Sequence, residues 1–114
     1  SSFVEEKLHD RIKAVSDYES VKNMTLYGVK ALYVKVDTSQ RLVNLYKTNI
    51  IPQAEQALKV AEIAYQGEKI SFLDLIDIQR SLLNFKLEYY RYVSDYYKHL
   101  AELERIVGGE IVGG

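Results

Sequence analysis

Cysteine and tryptophan are absent from the 114 residues, proline occurs once and glycine six times. Without cysteine there is no disulfide, no thiolate nucleophile and no thiolate metal site. Between Ser1 and Val107 the only breakers are Gly28, Pro52 and Gly67. That is too few for a meander of short strands with turns every ~8–12 residues. Charge of one sign is lacking too: 15 Lys and Arg stand against 16 Asp and Glu, for a net charge of -1. No block of five like charges occurs, which argues against a basic nucleic-acid face. No run approaches the ~18 apolar residues that a membrane-spanning helix needs, and the N-terminus lacks the basic-then-apolar pattern of a signal peptide. An exported protein would be represented here by a mature piece or a fragment.

What remains is a chain that is 47% hydrophobic and 27% charged, the balance of one folded domain. Long helices are the natural elements for it. The stretch Gln66-Gly67-Glu68-Lys69-Ile70-Ser71 separates two segments of helical periodicity, so the predicted fold is all-α, a long antiparallel helical hairpin. In limb one, about residues 4–65, Val29, Val36, Val43, Ile50, Ala57 and Ala64 recur every seven residues without a slip. Leu8, Ile12 and Val15 begin a similar stripe upstream. Pro52 lacks the amide hydrogen for the carbonyl four residues back, so a kink is expected near Thr48 to Pro52. Asp37-Thr38-Ser39 are better caps than helix-interior residues. They leave open a three-helix bundle with helices at 4–36, 40–66 and 72–107. Against it stand the stripe and the i,i+4 pairs Asp37/Arg41 and Glu55/Lys59.

Limb two, about residues 72–107, has Ser71 as N-cap, Asp74 in its first turn and Gly108 as the expected C′ glycine, with a flexible tail over 110–114. Its apolar residues form two seams. The first contains Leu75, Ile78, Leu82, Phe85, Tyr89, Tyr92, Tyr96, His99, Leu103 and Ile106. The second, about 100° further round, contains Phe72, Ile76, Leu83, Tyr90, Val93, Tyr97, Leu100 and Val107. One partner limb covers one seam and leaves the other exposed, so self-association or membership of a larger helical wall is expected. Ten of the residues are Tyr. Tyr89, Tyr90, Tyr92, Tyr96 and Tyr97 suit such helix-helix interfaces, because the ring packs while the hydroxyl reaches water or a partner.

Chemistry is sparse. His9 and His99 have no second ligand at convincing metal spacing, and His99, on an apolar seam, reads as a hydrogen-bonded interface histidine. Asp74 and Asp77 lie on one helical face, where a charge pair complements the helix dipole. No Gly-rich loop opens a helix to cradle phosphate. The expectation is no enzyme, no catalytic residue, no cofactor and no metal site.

Residues 45–108 resemble the TolC-type outer membrane efflux proteins. The resembling pieces are LY followed by IIPQA around Pro52, AY and a glycine before FLDLIDIQRSLL, and the closing LAELERIVG. The LY...PQA form is similar to the heavy-metal or cation branch. The resemblance implies the second periplasmic hairpin of a protomer, residues 1–109, with three protomers closing a hollow α-barrel below an outer membrane β-barrel. It implies a non-enzymatic conduit whose tip, residues 66–71, is gated and docks a periplasmic adaptor beneath an inner membrane pump. Tyr65, Asp74 and Asp77 would lie at the pore tip, the aspartates forming acidic rings that favour cations. Gly67, Glu68, Lys69 and Ser71 would form the tip turn and the adaptor contact. In the family the glycine usually follows the tip tyrosine by three residues; here Gly67 follows by two and Glu68 fills that place, which leaves the turn geometry and the role of Lys69 open. The alternative function is a coiled-coil hairpin that binds partner helices, as adaptor hairpins do.

Overall fold

The computed structural model describes the backbone of residues 2–113 and the side chains of residues 2–108. Its elements are α1 (Ser2–Leu45), a π-helical turn (Tyr46–Ile50), α2 (Ile51–Gln66) and α3 (Phe72–Gly113). The first three form one continuous limb, and α3 packs back along it. The particle measures 95 × 26 × 15 Å, with a radius of gyration of 26.3 Å. A compact chain of this length would have a radius near ~13 Å, so the fold is an extended hairpin and the three-helix bundle is excluded.

The helix passes through Asp37-Thr38-Ser39, and Asp37 and Ser39 are both employed inside it. Asp37 Oδ2 lies 3.1 Å from Arg41 Nε, the expected i,i+4 pair. Ser39 is buried, a small residue where the limbs approach. Glu55 reaches across the hairpin instead of along its own helix, with Oε1 4.0 Å from Lys86 Nζ. Both pairs are exposed, where such contacts contribute at most ~1 kcal/mol.

The interruption expected near Pro52 takes the form of a π turn. The Ile51 amide donates to the Tyr46 carbonyl, five residues back. The Thr48 hydroxyl donates to the Asn44 carbonyl at 2.6 Å. Pro52 then falls in the first turn of α2, where a missing amide hydrogen is tolerated. The inserted residue rotates everything beyond it by about 100° relative to an unbroken α-helix. The seven-residue stripe therefore slips at Ala57, which is exposed, while its neighbours Ile51, Ala54 and Leu58 are half-buried and Ala61 is buried; the stripe members Ile50 and Ala64 stay half-buried.

In α3 every residue of the first seam is buried or half-buried, with Leu75 and Leu82 the most enclosed. The second seam is largely uncovered: Leu83 is 57% exposed, Tyr90 66% and Tyr97 64%. Its members Ile76, Val93 and Leu100 are half-buried at the flank of the limb interface. One partner helix thus covers one line of side chains, as helix geometry requires. Limb one is the longer, 44, 5 and 16 residues against 42 in α3. Its N-terminal apolar residues Phe3, Val4, Leu8, Ile12 and Val15 are all exposed.

At its far end α3 does not stop at Gly108. The helix continues to Gly113, and none of the described glycines has positive φ, so Gly108 is not a left-handed C′ residue. Glycine inside a helix costs about 1 kcal/mol relative to alanine and does not by itself end one. Gly114, the end of the tail expected over 110–114, lies outside the described residues.

Candidate functional site

The tip turn is built from backbone hydrogen bonds at the end of α2. The Gly67 amide donates to the Ile63 carbonyl at 3.0 Å, Glu68 to Tyr65 at 3.0 Å and Lys69 to Ala64 at 2.8 Å. The last two are the pair that defines a Schellman cap, with Glu68 at the C′ position. That position needs a left-handed backbone, and Glu68 has φ 60°, whereas Gly67 has φ -84°. The turn therefore places its left-handed residue three positions after Tyr65, at Glu68. Lys69 contributes its amide to the cap, and its side chain is exposed.

The start of α3 is a reciprocal capping box. The Asp74 amide donates to Ser71 Oγ at 3.1 Å, and the Ser71 amide donates to Asp74 Oδ2 at 3.3 Å. The Asp74 carboxylate thus serves the helix terminus, where the dipole also favours it. Asp77 is exposed one turn on, and its carbonyl accepts from the Ser81 hydroxyl at 3.1 Å. Tyr65 is 40% exposed and its ring centroid lies 5.9 Å from that of Phe72, so the two limbs touch through these rings at the tip. Tyr65, Gly67, Glu68, Lys69, Ser71 and Asp74 thus share one end of the hairpin, with Asp77 one turn behind.

The tyrosines divide between two faces. Tyr89, Tyr92 and Tyr96 are half-buried towards limb one, while Tyr90 and Tyr97 are exposed. Edge contacts join the faces, with ring centroids 5.4 Å apart for Tyr89–Tyr90 and 5.3 Å for Tyr96–Tyr97. His99 occupies its seam but without the expected hydrogen bond: its Nδ1 is buried and has no partner.

A polar bridge that the seam pattern did not single out lies at mid-hairpin. The Tyr46 hydroxyl donates to Glu88 Oε2 at 2.6 Å, and its ring packs 5.1 Å from Tyr92 and 6.4 Å from Phe85. The hydrogen bond to the carboxylate, then burial and the neighbouring Tyr92, push the Tyr46 pKa well above its ordinary value. The signal in the sequence was Glu88 itself, a carboxylate three residues after Phe85 and four before Tyr92. It stands beside an apolar seam and requires a partner there.

Among the described residues no group of three or more His, Asp or Glu is placed to hold a metal ion. None of the described helices is long and apolar enough to cross a membrane. Over 74 residues, 65% of the chain, the sequence is 28% identical to the cobalt-zinc-cadmium resistance protein CzcC of Cupriavidus metallidurans. That stretch is 18% of the length of CzcC, so the chain spans less than a fifth of this relative. No family model matches the chain. No solved structure matches it.

Proposed function

We propose that this chain is the periplasmic hairpin of an outer membrane channel that exports divalent metal cations. The observation that carries this reading is the similarity to CzcC, a cobalt-zinc-cadmium resistance protein, on a 95 Å hairpin. The uncovered seam of α3 supports it, because a helix in a barrel wall needs a neighbour on each side. In this reading three protomers close the wall, a periplasmic adaptor docks on the tip turn Gly67–Ser71, and an inner membrane pump supplies the energy. The hairpin performs no catalysis and binds no cofactor. Partners open the tip by preferring its open state, a population shift.

Tyr65, Asp74 and Asp77 form the gate in this reading, with the aspartates of three copies making a cation-favouring constriction. The test is single-channel recording on the full-length protein. Asp74→Ala with Asp77→Ala raises conductance and weakens cation selectivity; unchanged behaviour removes both residues from the gate. Because Asp74 also caps α3, Ser71→Ala is the matched control. It removes the cap at a cost of about 1 kcal/mol while leaving the charge in place. A gate made of carboxylates responds to the aspartate substitutions and not to Ser71→Ala.

A further inference from the structure

The π turn and the seven-residue stripe disagree by one residue, and that disagreement has structural content. In the observed register α2 presents Ala54, Leu58 and Ala61 to the opposite limb, half-buried, half-buried and buried in turn. Without the π turn, continuing the seam of α1 (Val29, Val36, Val43) as an unbroken helix would present Ala57 and Val60 instead, with Ala64, half-buried in the observed register, common to both faces. Those positions are apolar as well, although Ala57 is exposed and Val60 is 58% exposed. Limb one therefore carries two apolar faces below residue 50, each able to line the same groove. The observed face has Ala54 where the alternative has Gln53, which disfavours the alternative by placing an amide on the seam.

The geometry points to a register switch: α2 exists in two rotational settings one residue apart, and the Tyr46–Glu88 bridge holds the observed one. Tyr46 is the first residue of the π turn, so its hydrogen bond to α3 fixes where the additional residue resides. The Thr48 hydroxyl on the Asn44 carbonyl supports the same turn. When the bridge is released, the π turn relaxes to α-helix, α2 rotates by about 100° and the loop between α2 and α3 takes up the difference. Such π turns are frequent at functional positions in helices. The switch stands on the hairpin alone and holds whatever the full-length protein transports.

The chain has no cysteine, so a single introduced thiol reports on one position. Ala61→Cys is the reporter, because Ala61 is 5% exposed in the observed register and leaves the seam in the other. Leu82→Cys is the control, because Leu82 is 8% exposed on the seam of α3, which does not rotate in the proposed switch. Thiol alkylation of each is measured on the 114-residue chain with and without Tyr46→Phe. The expected result is about a fivefold rise for Ala61→Cys, the factor matching one lost hydrogen bond of ~1 kcal/mol, and no rise for Leu82→Cys. A rise in both, which marks local unfolding, overturns the proposal, as does a rise in neither. A second variant deletes Asn49, removing the inserted residue while keeping the observed face of α2. In that background Tyr46→Phe leaves Ala61→Cys protected; loss of protection there also overturns the switch.

Discussion

The Tyr46 hydroxyl and the Glu88 carboxylate meet at 2.6 Å between the limbs, a bond joining residues 42 positions apart. A hairpin whose described core consists of Leu32, Ala61, Leu75 and Leu82, with Ser39 as the buried polar residue, has little else to fix its register. Apolar seams alone tolerate sliding, since one leucine can replace another; a single polar pair cannot be replaced that way.

Tyr46→Phe keeps the ring contacts with Phe85 and Tyr92 and removes the donor. The expected loss of stability is about 1 kcal/mol, because the carboxylate is half-buried and water can partly replace the hydroxyl. The pH dependence follows from the raised pKa. The unfolded tyrosine titrates near ~10, the folded one well above it, so the stabilisation is complete below pH ~10 and is lost as pH rises through the folded value. Denaturant titrations of the wild type and Tyr46→Phe diverge at pH 8 and converge as the pH climbs beyond 10. A constant difference across that range would show that the hydroxyl proton is not what holds the pair.

At the tip, the residue under backbone strain is Glu68, with φ 60°, and not the glycine beside it. Glu68→Gly is expected to stabilise the hairpin by about 1 kcal/mol, the usual cost of a left-handed non-glycine residue. Gly67→Ala is expected to be nearly neutral. Its φ is -84°, and a Cβ there would lie 3.6 Å from the Ile63 carbonyl oxygen and 3.7 Å from that of Ala64, ordinary contacts. Thermal or urea unfolding of the two variants checks this ordering, and a large loss on Gly67→Ala would contradict the cap assignment.

The hairpin, its turn and the two seams of α3 were legible because each follows from local spacing. Ser71 and Asp74 carry their capping chemistry in the sequence, and the first seam is an uninterrupted three-four pattern from Leu75 to Ile106. The register below Pro52 was not legible. An inserted residue is invisible to a pattern in which Ala57 and Leu58 are adjacent and both apolar, and Pro52 signals an interruption without saying whether it kinks the helix or inserts a π turn. The left-handed residue was hidden for a related reason. Gly67 is the conformationally free residue of the turn, yet the Schellman bonds to Ala64 and Tyr65 fix the strained position one residue later. Helix ends were the other weak point, since Gly108 looked like a stop and α3 runs on.

The uncovered seam of α3 leads to the last prediction. Leu83, Tyr90 and Tyr97 recur every seven residues on one helix face and are more than half exposed. Phe72 at the same face's tip end is 60% exposed. An apolar line of this length exceeds the few hundred square ångströms a soluble monomer usually shows, so association at micromolar concentration is expected. Tyr rings bury large areas with few rotatable bonds to order, which makes Tyr90 and Tyr97 the anchors of such a contact. Tyr90→Glu with Tyr97→Glu places two like charges on that line and keeps every residue of the first seam, at the loss of the ring-edge contacts with Tyr89 and Tyr96. Sedimentation velocity is expected to show concentration-dependent oligomers for the wild type and a monomer for the double variant, at equal helicity by circular dichroism. A wild-type chain that sediments as a monomer at every concentration would mean that the exposed seam is tolerated in water and that no neighbour is required to cover it.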